Sequence, residues 1–402
     1  MQITNSHIPH VGPGTPAGDW LRRYWHAVGT EKELYDIPQA VRVLGEDLVL
    51  FRDLNGIAGL LGQNCAHRGA SLEYGDIEAR GIRCPYHGWL YDVNGRCLEQ
   101  PSEPKGNEFC HKVRQVSYPV HEQGGLIFAY LGPNPDEPPP FLNYSALVDH
   151  GGQRLVEDTR HFDYNWFNFY ENSADPAHVW ILHGASGYGQ QTWGDRFFSV
   201  DDPPAFEPME TPYGMKIVMT KPGNEPGTEF VDEMSLGMPN ILQVGDTPYV
   251  HAKVDPQLGV NTGSDYEHCL FLTPNDDDHF MLFTVDYYTG AEPHMFEKLA
   301  RMRQRERPTQ KVESYDKRPL MPFRGNVRRE DIVAQGTQDL VGHRAEHLGP
   351  SDRGVIMLRK LVRQAIEDVA EGKAPKGLHL DESAAGCVTL DSFVGVRSAS
   401  QE

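Results

Sequence analysis

The chain is short of positive charge, of cysteine and of long apolar runs, and each shortage removes a class of function. Its 402 residues carry 37 Lys and Arg against 57 Asp and Glu, a formal net charge of −20. Binding nucleic acid by counterion release needs a basic face, and no such stretch occurs. The acidic balance favours solubility and suits docking of a protein with a basic patch. Six cysteines, at 65, 84, 97, 110, 269 and 387, are too sparse for a disulfide framework. Apolar stretches such as 124–132 fall well short of the roughly 20 residues that span a bilayer. Met1 to Pro13 is polar, with His, Pro and Gly where a secretory signal needs apolar residues, so a cytoplasmic protein without membrane or nucleic-acid partners is expected. No internal repeat is visible.

What is present divides the chain in two. Residues 1–24 form a Gly/Pro-punctuated arm. From 25 to 140 short β-type runs alternate with turns, among them Leu48-Val-Leu-Phe51 and Gly125-Leu-Ile-Phe-Ala-Tyr-Leu131, with Asn-Gly turns at 55–56 and 94–95. The stretch from Pro133 to Pro140 is the best linker. Residues 141–402 read as a second domain, with a helix-like segment at 165–183 and strand-like runs at 213–221, 246–254, 268–274 and 279–288. Helical patterns follow at 292–304, 327–340 and 352–371. Ser351-Asp352 can cap the last helix, and Ile356, Leu358, Leu361, Val362 and Ile366 mark its apolar face. The class expected is α+β, with a small all-β domain first.

Two clusters of metal-type residues stand out. Cys65-Ala-His67 and Cys84-Pro-Tyr-His87 sit in turn-like segments separated by 16 residues. Two such hairpin tips can converge on one centre. A Cys2His2 zinc site has the same ligand set, but zinc fingers usually pair Cys with Cys and His with His. Here each turn supplies one thiolate and one imidazole, as a Rieske cluster needs, with two Cys on one iron and two His on the other. Further on, Asp175-Pro-Ala-His178-Val-Trp-Ile-Leu-His183 places two histidines five apart. On a regular helix that spacing is about 140° of rotation, so both face one ion only through a π-type turn or a break, with Gly184 a plausible place for the break. Buried core histidines are the bland alternative.

The long motif Cys-x-His-Arg-Gly…Cys-Pro-Tyr-His-Gly-Trp, followed by Asp-x-x-His-x-x-x-x-His, resembles the Rieske-type non-haem iron aromatic-ring-hydroxylating oxygenases. Ala70 and Tyr86 stand where respiratory Rieske proteins carry their extra cysteines. Segments at 12–25, 118–132 and 331–352 resemble the phthalate dioxygenase branch, whose α-subunits assemble as homotrimers or stacked trimers.

The resemblance implies a small Rieske [2Fe–2S] domain with Cys65, His67, Cys84 and His87 as cluster ligands. It also implies a helix-grip catalytic domain with a large antiparallel sheet, where His178 and His183 hold Fe(II) with a later carboxylate. Glu330, Asp331, Asp339 and Asp352 are the candidates, and the family's Glu-Asp pair points to Asp331. Asp175 would bridge His178 to His87 of the partner subunit for electron transfer, and it can also cap a helix that starts at Pro176.

The implied activity uses O2 and electrons from NAD(P)H, delivered by a flavin/[2Fe–2S] reductase, to hydroxylate or O-demethylate a small aromatic, often carboxylated, substrate. Arg196, Lys216 and Lys253 are the basic residues to consider for an anionic substrate. The competing reading is a Rieske electron carrier without oxygenase activity, for which 270 further residues would have no use.

Overall fold

The computed structural model describes residues 2–106, 108–183, 203–223, 225–244, 266–289, 327–381 and 386–398. The chain separates into two compact units: His10–Phe141 with Thr273–Asp277, and Met1–Pro9 with Leu142–Leu272 and Asp278–Glu402.

The first unit is all β apart from helix α1 (Pro16–Leu21) and a few short 3-10 turns. Thr15 caps α1 by accepting from Gly18 N, and Pro16 occupies its first position, where no N–H is needed. Three small antiparallel sheets follow. One joins β1 (Trp25–Thr30), β11 (Leu126–Tyr130) and β10 (Val120–Gln123). The second joins β2 (Gln39–Val43), β3 (Glu46–Arg52), β4 (Ala58–Gly62) and β9 (Ser117–Tyr118). The third joins β5 (Asp76–Glu78), β6 (Gly81–Arg83), β7 (Leu90–Tyr91) and β8 (Cys97–Glu99). Val49, Phe51, Leu61, Leu72, Ile82, Trp89 and Tyr91 pack into one core that also encloses Cys65 and Cys84.

Among the described residues the second unit is built on a nine-stranded antiparallel sheet. Its strands are β12 (Gly152–Val156), β13 (Arg160–Phe162), β14 (Ala205–Glu210), β15 (Gly214–Pro222), β16 (Thr228–Gly237), β17 (Ile241–Val244), β18 (Tyr266–Pro274), β19 (Phe280–Thr289) and β20 (Phe393–Ser398). The order is β12-β19-β18-β17-β16-β15-β14, with β13 pairing β19 and β20 pairing β16.

Against the sheet lie α2 (Trp166–Asn172) and α5 (Arg353–Ala370), while α3 (Pro176–His178) leads into the turn on which α4 (Val327–Gly336) packs, α4 also resting on α2. Phe169 of α2 packs on Phe280, itself stacked on Phe162 at 4.7 Å. Tyr170 donates to Gly237 O (2.8 Å). Gly354 of α5 lies so close to Ala174 O and Ile217 Cδ1 that a Cβ there has no room. Gln335 ties α4 to α2, taking Tyr164 OH on its side chain and Asn168 Nδ2 on its carbonyl. Buried Arg359 of α5 bonds both Glu171 and Glu346, and Arg344 bonds the same two carboxylates.

Some expectations need correction. Asp352 does not cap α5 through its side chain; its carboxylate accepts Gly349 N (2.6 Å) and closes the 3-10 turn before the helix. Ile356 is 46% exposed, whereas Leu358, Leu361, Val362 and Ile366 are buried, so the apolar stripe of α5 is narrower than the sequence suggested. Helix α4 stops at Gly336 rather than 340. The strand expected at 246–254 and the helix at 292–304 lie outside the described residues. Among the described residues no helix is long and apolar enough to cross a membrane.

Candidate metal centres

Cys65 to Gly69 and Cys84 to Gly88 are the same turn built twice. Gly69 N donates to Cys65 O (2.8 Å) and Gly88 N to Cys84 O (3.0 Å). Cys65 N donates to Ala70 O and Cys84 N to Trp89 O. Each turn closes on a glycine in the left-handed region (φ +76° and +75°), a conformation that an added Cβ would strain.

The two cysteines are buried at the core edge while the two histidines are half-exposed. The thiols therefore form one pair facing inward and the imidazoles another facing outward, their ring centroids 4.5 Å apart. His67 stacks on Trp89 (4.4 Å, 9°), and Tyr91 OH lies 3.2 Å from Cys65 Sγ. Burial, then the adjacent Cys65, pushes the Cys84 thiol up. A thiolate there needs positive charge beside it, which bound iron supplies. His67 Nδ1 is buried without a hydrogen-bond partner. An inner thiol pair and an outer imidazole pair with an orphaned nitrogen fit a binuclear cluster better than one tetrahedral ion. Ala70 packs against the core and Tyr86 is exposed, its ring 5.8 Å from the Arg68 guanidinium.

In the second unit α3 is a single turn, capped by Asp175 Oδ1 accepting from Ala177 N (3.0 Å). Val179–His183 then widens into a π-helical turn. That widening supplies the rotation a five-residue spacing lacks and turns both histidines to one point. His183 Nε2 lies 3.3 Å and His178 Nε2 3.8 Å from Asp331 Oδ1 of α4. Two ligands at right angles on an ion about 2.1 Å away are themselves about 3 Å apart, so the spacing suits one metal ion. Asp331 Oδ1 is buried and has no well-formed hydrogen bond, as a ligand atom awaiting a cation would be. Gly184, the expected break point, lies outside the described residues.

The far sides of the two rings are held differently. His178 Nδ1 donates to the main-chain carbonyl of Asp175. His183 Nδ1 donates to Oε2 of Glu330 (2.9 Å), a completely buried carboxylate. Burial alone would lower the His183 pKa, but Asp331 and Glu330 outweigh it and hold it at about 9. Burial lowers that of His178, against the pull of Asp331. Asn172 Nδ2 sits 3.0 Å from His178 Nε2, at the rim of the same point.

Of the four carboxylates weighed, Asp331 meets the histidines and Glu330 stands behind one of them. Asp339 is exposed on the surface and Asp352 is occupied at Gly349. Lys216 points to the sheet face away from the helices, 3.4 Å from Asp391. Arg196 and Lys253 lie outside the described residues. Sequence reasoning missed the parts played by Asn172 and by Glu330; the Glu-Asp pair at 330–331 was the available signal for the second.

Comparison with known proteins agrees with this architecture. A family model described as "Rieske [2Fe-2S] domain" matches residues 24–119. The tert-butanol monooxygenase / tert-amyl alcohol desaturase oxygenase subunit of Aquincola tertiaricarbonis is 35% identical, over 92% of this chain and 77% of that protein. The phenoxybenzoate dioxygenase subunit alpha of Ectopseudomonas oleovorans is 34% identical, over 96% and 89%. The 5,5'-dehydrodivanillate O-demethylase oxygenase subunit of a Sphingobium species is 31% identical, over 97% and 86%. Pseudomonas putida CBB5 NdmA with caffeine has the same fold, with a TM-score of 0.64 at 21% identity over 95% of this chain and 98% of that one. Similarity to oxygenase subunits runs through both units, which sets aside an electron carrier made of the first alone. The chain belongs to the Rieske non-haem iron oxygenases, in the phthalate dioxygenase-like branch of oxygenase α-subunits.

Proposed function

We propose that this protein is the terminal oxygenase of a multicomponent system, hydroxylating or O-demethylating a small aromatic, often carboxylated, substrate in the cytoplasm. Residues 25–140 carry the cluster on Cys65, His67, Cys84 and His87. Residues 141–402 carry iron(II) on His178, His183 and Asp331. Held by these residues, the cluster would supply single-electron transfer and the iron the activation of O2. The observation that carries this reading is the convergence of two imidazoles and one carboxylate at the π-turn, in a chain that also holds a Rieske domain. Two neutral nitrogens and one carboxylate form a donor set that would hold iron(II) and would supply O2 activation there.

The residues around the iron ligands have separable tasks. The Asp175 carbonyl and Glu330 fix which ring nitrogen of each histidine faces the metal. Asp175 is proposed to link His178 to His87 of the partner subunit within a trimer, its carbonyl orienting the first and its carboxylate reaching the second. The electron source is a flavin/[2Fe–2S] reductase drawing on NAD(P)H. The relatives are named for substrates as different as tert-butanol and phenoxybenzoate, so an aromatic substrate is the family-typical choice rather than one dictated by the ligands.

The test is turnover of a substrate panel by the holoenzyme with a surrogate reductase and NADH, following oxygenated product and formaldehyde. Substrate-dependent product supports the proposal. Electron acceptance by the cluster with no oxygenation of any compound would favour a carrier.

A further inference from the structure

Cys97 and Cys110 belong to neither metal centre, and the fold of the first unit brings them together. The chain leaves the sheet that carries the Cys84 turn along β8, which starts at Cys97, and returns through a 3-10 turn, Cys110–Lys112. The base of this excursion is tied by main-chain pairing of Arg96 with Arg114 and by Gln115 N donating to Gly95 O (2.8 Å). Further in, Gln100 Oε1 accepts Phe109 N (2.7 Å). Cys97 and Cys110 fall between these two ties, and their thiols are hydrogen-bonding neighbours at the edge of the core.

The two thiols are not equivalent. Cys97 is buried, whereas Cys110 is half-buried and meets solvent. Burial, then the Cys110 thiol beside it, pushes the Cys97 thiol up to about 12, so Cys97 is inert toward reagents in solution. Two donors nevertheless face its sulfur: the Glu99 main-chain N–H and the side chain of Gln100, whose Nε2 is buried without a well-formed hydrogen bond. A sulfur so placed reacts with an electrophile held beside it and with little else.

The segment between the two cysteines covers the cluster turns. Ser102 Oγ donates to His87 O (2.7 Å), and Pro101 lies where a Cβ on Gly88 would clash. Phe109 meets Trp89 edge-on, and Trp89 stacks on His67. One short segment thus bears on the turns of both cluster histidines.

We propose that Cys97 and Cys110 are a redox-modification site, converted by hydrogen peroxide into a disulfide that fastens the 97–110 segment over the cluster histidines. The Cys110 sulfur, as thiolate, attacks one peroxide oxygen. The O–O bond breaks, leaving a sulfenic acid on Cys110 and a hydroxide that takes up the thiol proton as water. The Cys97 sulfur then attacks the Cys110 sulfur, the S–O bond breaks, and a second water carries away the hydroxyl and the Cys97 proton. Two thiols lose two electrons and one peroxide gains them; a dithiol reverses the bond by exchange. The inference goes beyond the proposed function and needs neither the iron site nor a substrate.

The test exposes cluster-replete holoenzyme to a few equivalents of hydrogen peroxide, alkylates free thiols under denaturing conditions, and maps the peptides by mass spectrometry. A linked Cys97–Cys110 peptide is expected while the cluster spectrum is retained, and dithiothreitol should return both residues to alkylatable thiols. The second readout is the rate at which an iron chelator bleaches the cluster. Peroxide-treated wild type should bleach at least about threefold more slowly than reduced wild type, because a cross-link suppresses local opening. Cys110→Ser, altered at the half-buried member so that the core is kept, should form no link and bleach alike after both treatments. Cys110→Ala repeats the comparison without a hydroxyl. Alkylation of both thiols after peroxide, Cys110 oxidised to sulfinic acid without the link, or a link that dithiothreitol does not open overturns the proposal. So does bleaching at one rate with and without the link, or loss of the cluster to peroxide before the link forms.

Discussion

Glu330 offers the sharpest perturbation of the iron site, because it touches a ligand without being one. It is fully buried and takes the Nδ1 proton of His183 at 2.9 Å. Hydrogen bonds to a charged partner contribute about 1.5–3 kcal/mol, and loss of such an outer partner typically lowers metal affinity about 10–100-fold. Glu330→Gln keeps the shape and one acceptor oxygen, so affinity should fall by about tenfold; Glu330→Leu removes both charge and acceptor and should cost about a hundredfold.

A second effect runs the other way. Glu330 helps raise the His183 pKa to about 9, so at neutral pH the metal competes with a proton that the variants hold less tightly. The deficit should therefore be larger at about pH 8 than at about pH 6.5. The assay is equilibrium competition for iron(II) against a chelator on cluster-replete protein, with the visible spectrum of the cluster as an internal control. Unchanged iron affinity in Glu330→Leu at the higher pH would refute the assigned role.

Other predictions concern separate parts of the molecule. Asp175→Asn should leave both metals bound yet sharply reduce coupled turnover, checked by metal analysis beside NADH-driven product formation; normal turnover would remove the bridge. Arg359→Leu removes one of the two guanidiniums that hold the Glu171 and Glu346 carboxylates, leaving Arg344, and should cost about 1.5–3 kcal/mol in denaturant unfolding. His26 is buried with its pKa lowered to about 4, chiefly by desolvation, from 6.5. Between those values the unfolded chain binds the proton that the folded one refuses. The contribution of His26 is thus intact above pH 6.5 and is lost by about 3 kcal/mol as the pH falls through 4. His26→Gln should flatten that part of the stability profile; an unchanged slope would contradict it.

What could be read in the sequence was whatever is local. The two cluster turns are short, each closing on a glycine four residues after its cysteine, so their ligands are adjacent in the chain. The π-turn was foreseen for a geometric reason: five residues of regular helix cannot aim His178 and His183 at one ion. The choice of Asp331 over Glu330 was not local. Neighbours on a helix point about 100° apart, and only the docking of α4 on α2 through Gln335 decides which of the two faces the histidines. The facing of Lys216 depended on strand register, where one step exchanges the two sides of the sheet. The meeting of Cys97 with Cys110 depends on a chain reversal tied at Arg96 and Arg114, which leaves no mark in either segment. Asp352 misled for a different reason, since a carboxylate before a helix can equally close the turn that precedes it.

Iron and acid-labile sulfide counted together on purified protein bear most directly on the two-centre arrangement. About three irons and two sulfides per chain are expected in the wild type, and Asp331→Ala should lose one iron while keeping the sulfide and the red-brown colour. Two irons per chain in both proteins, or colourless protein carrying zinc, would contradict it.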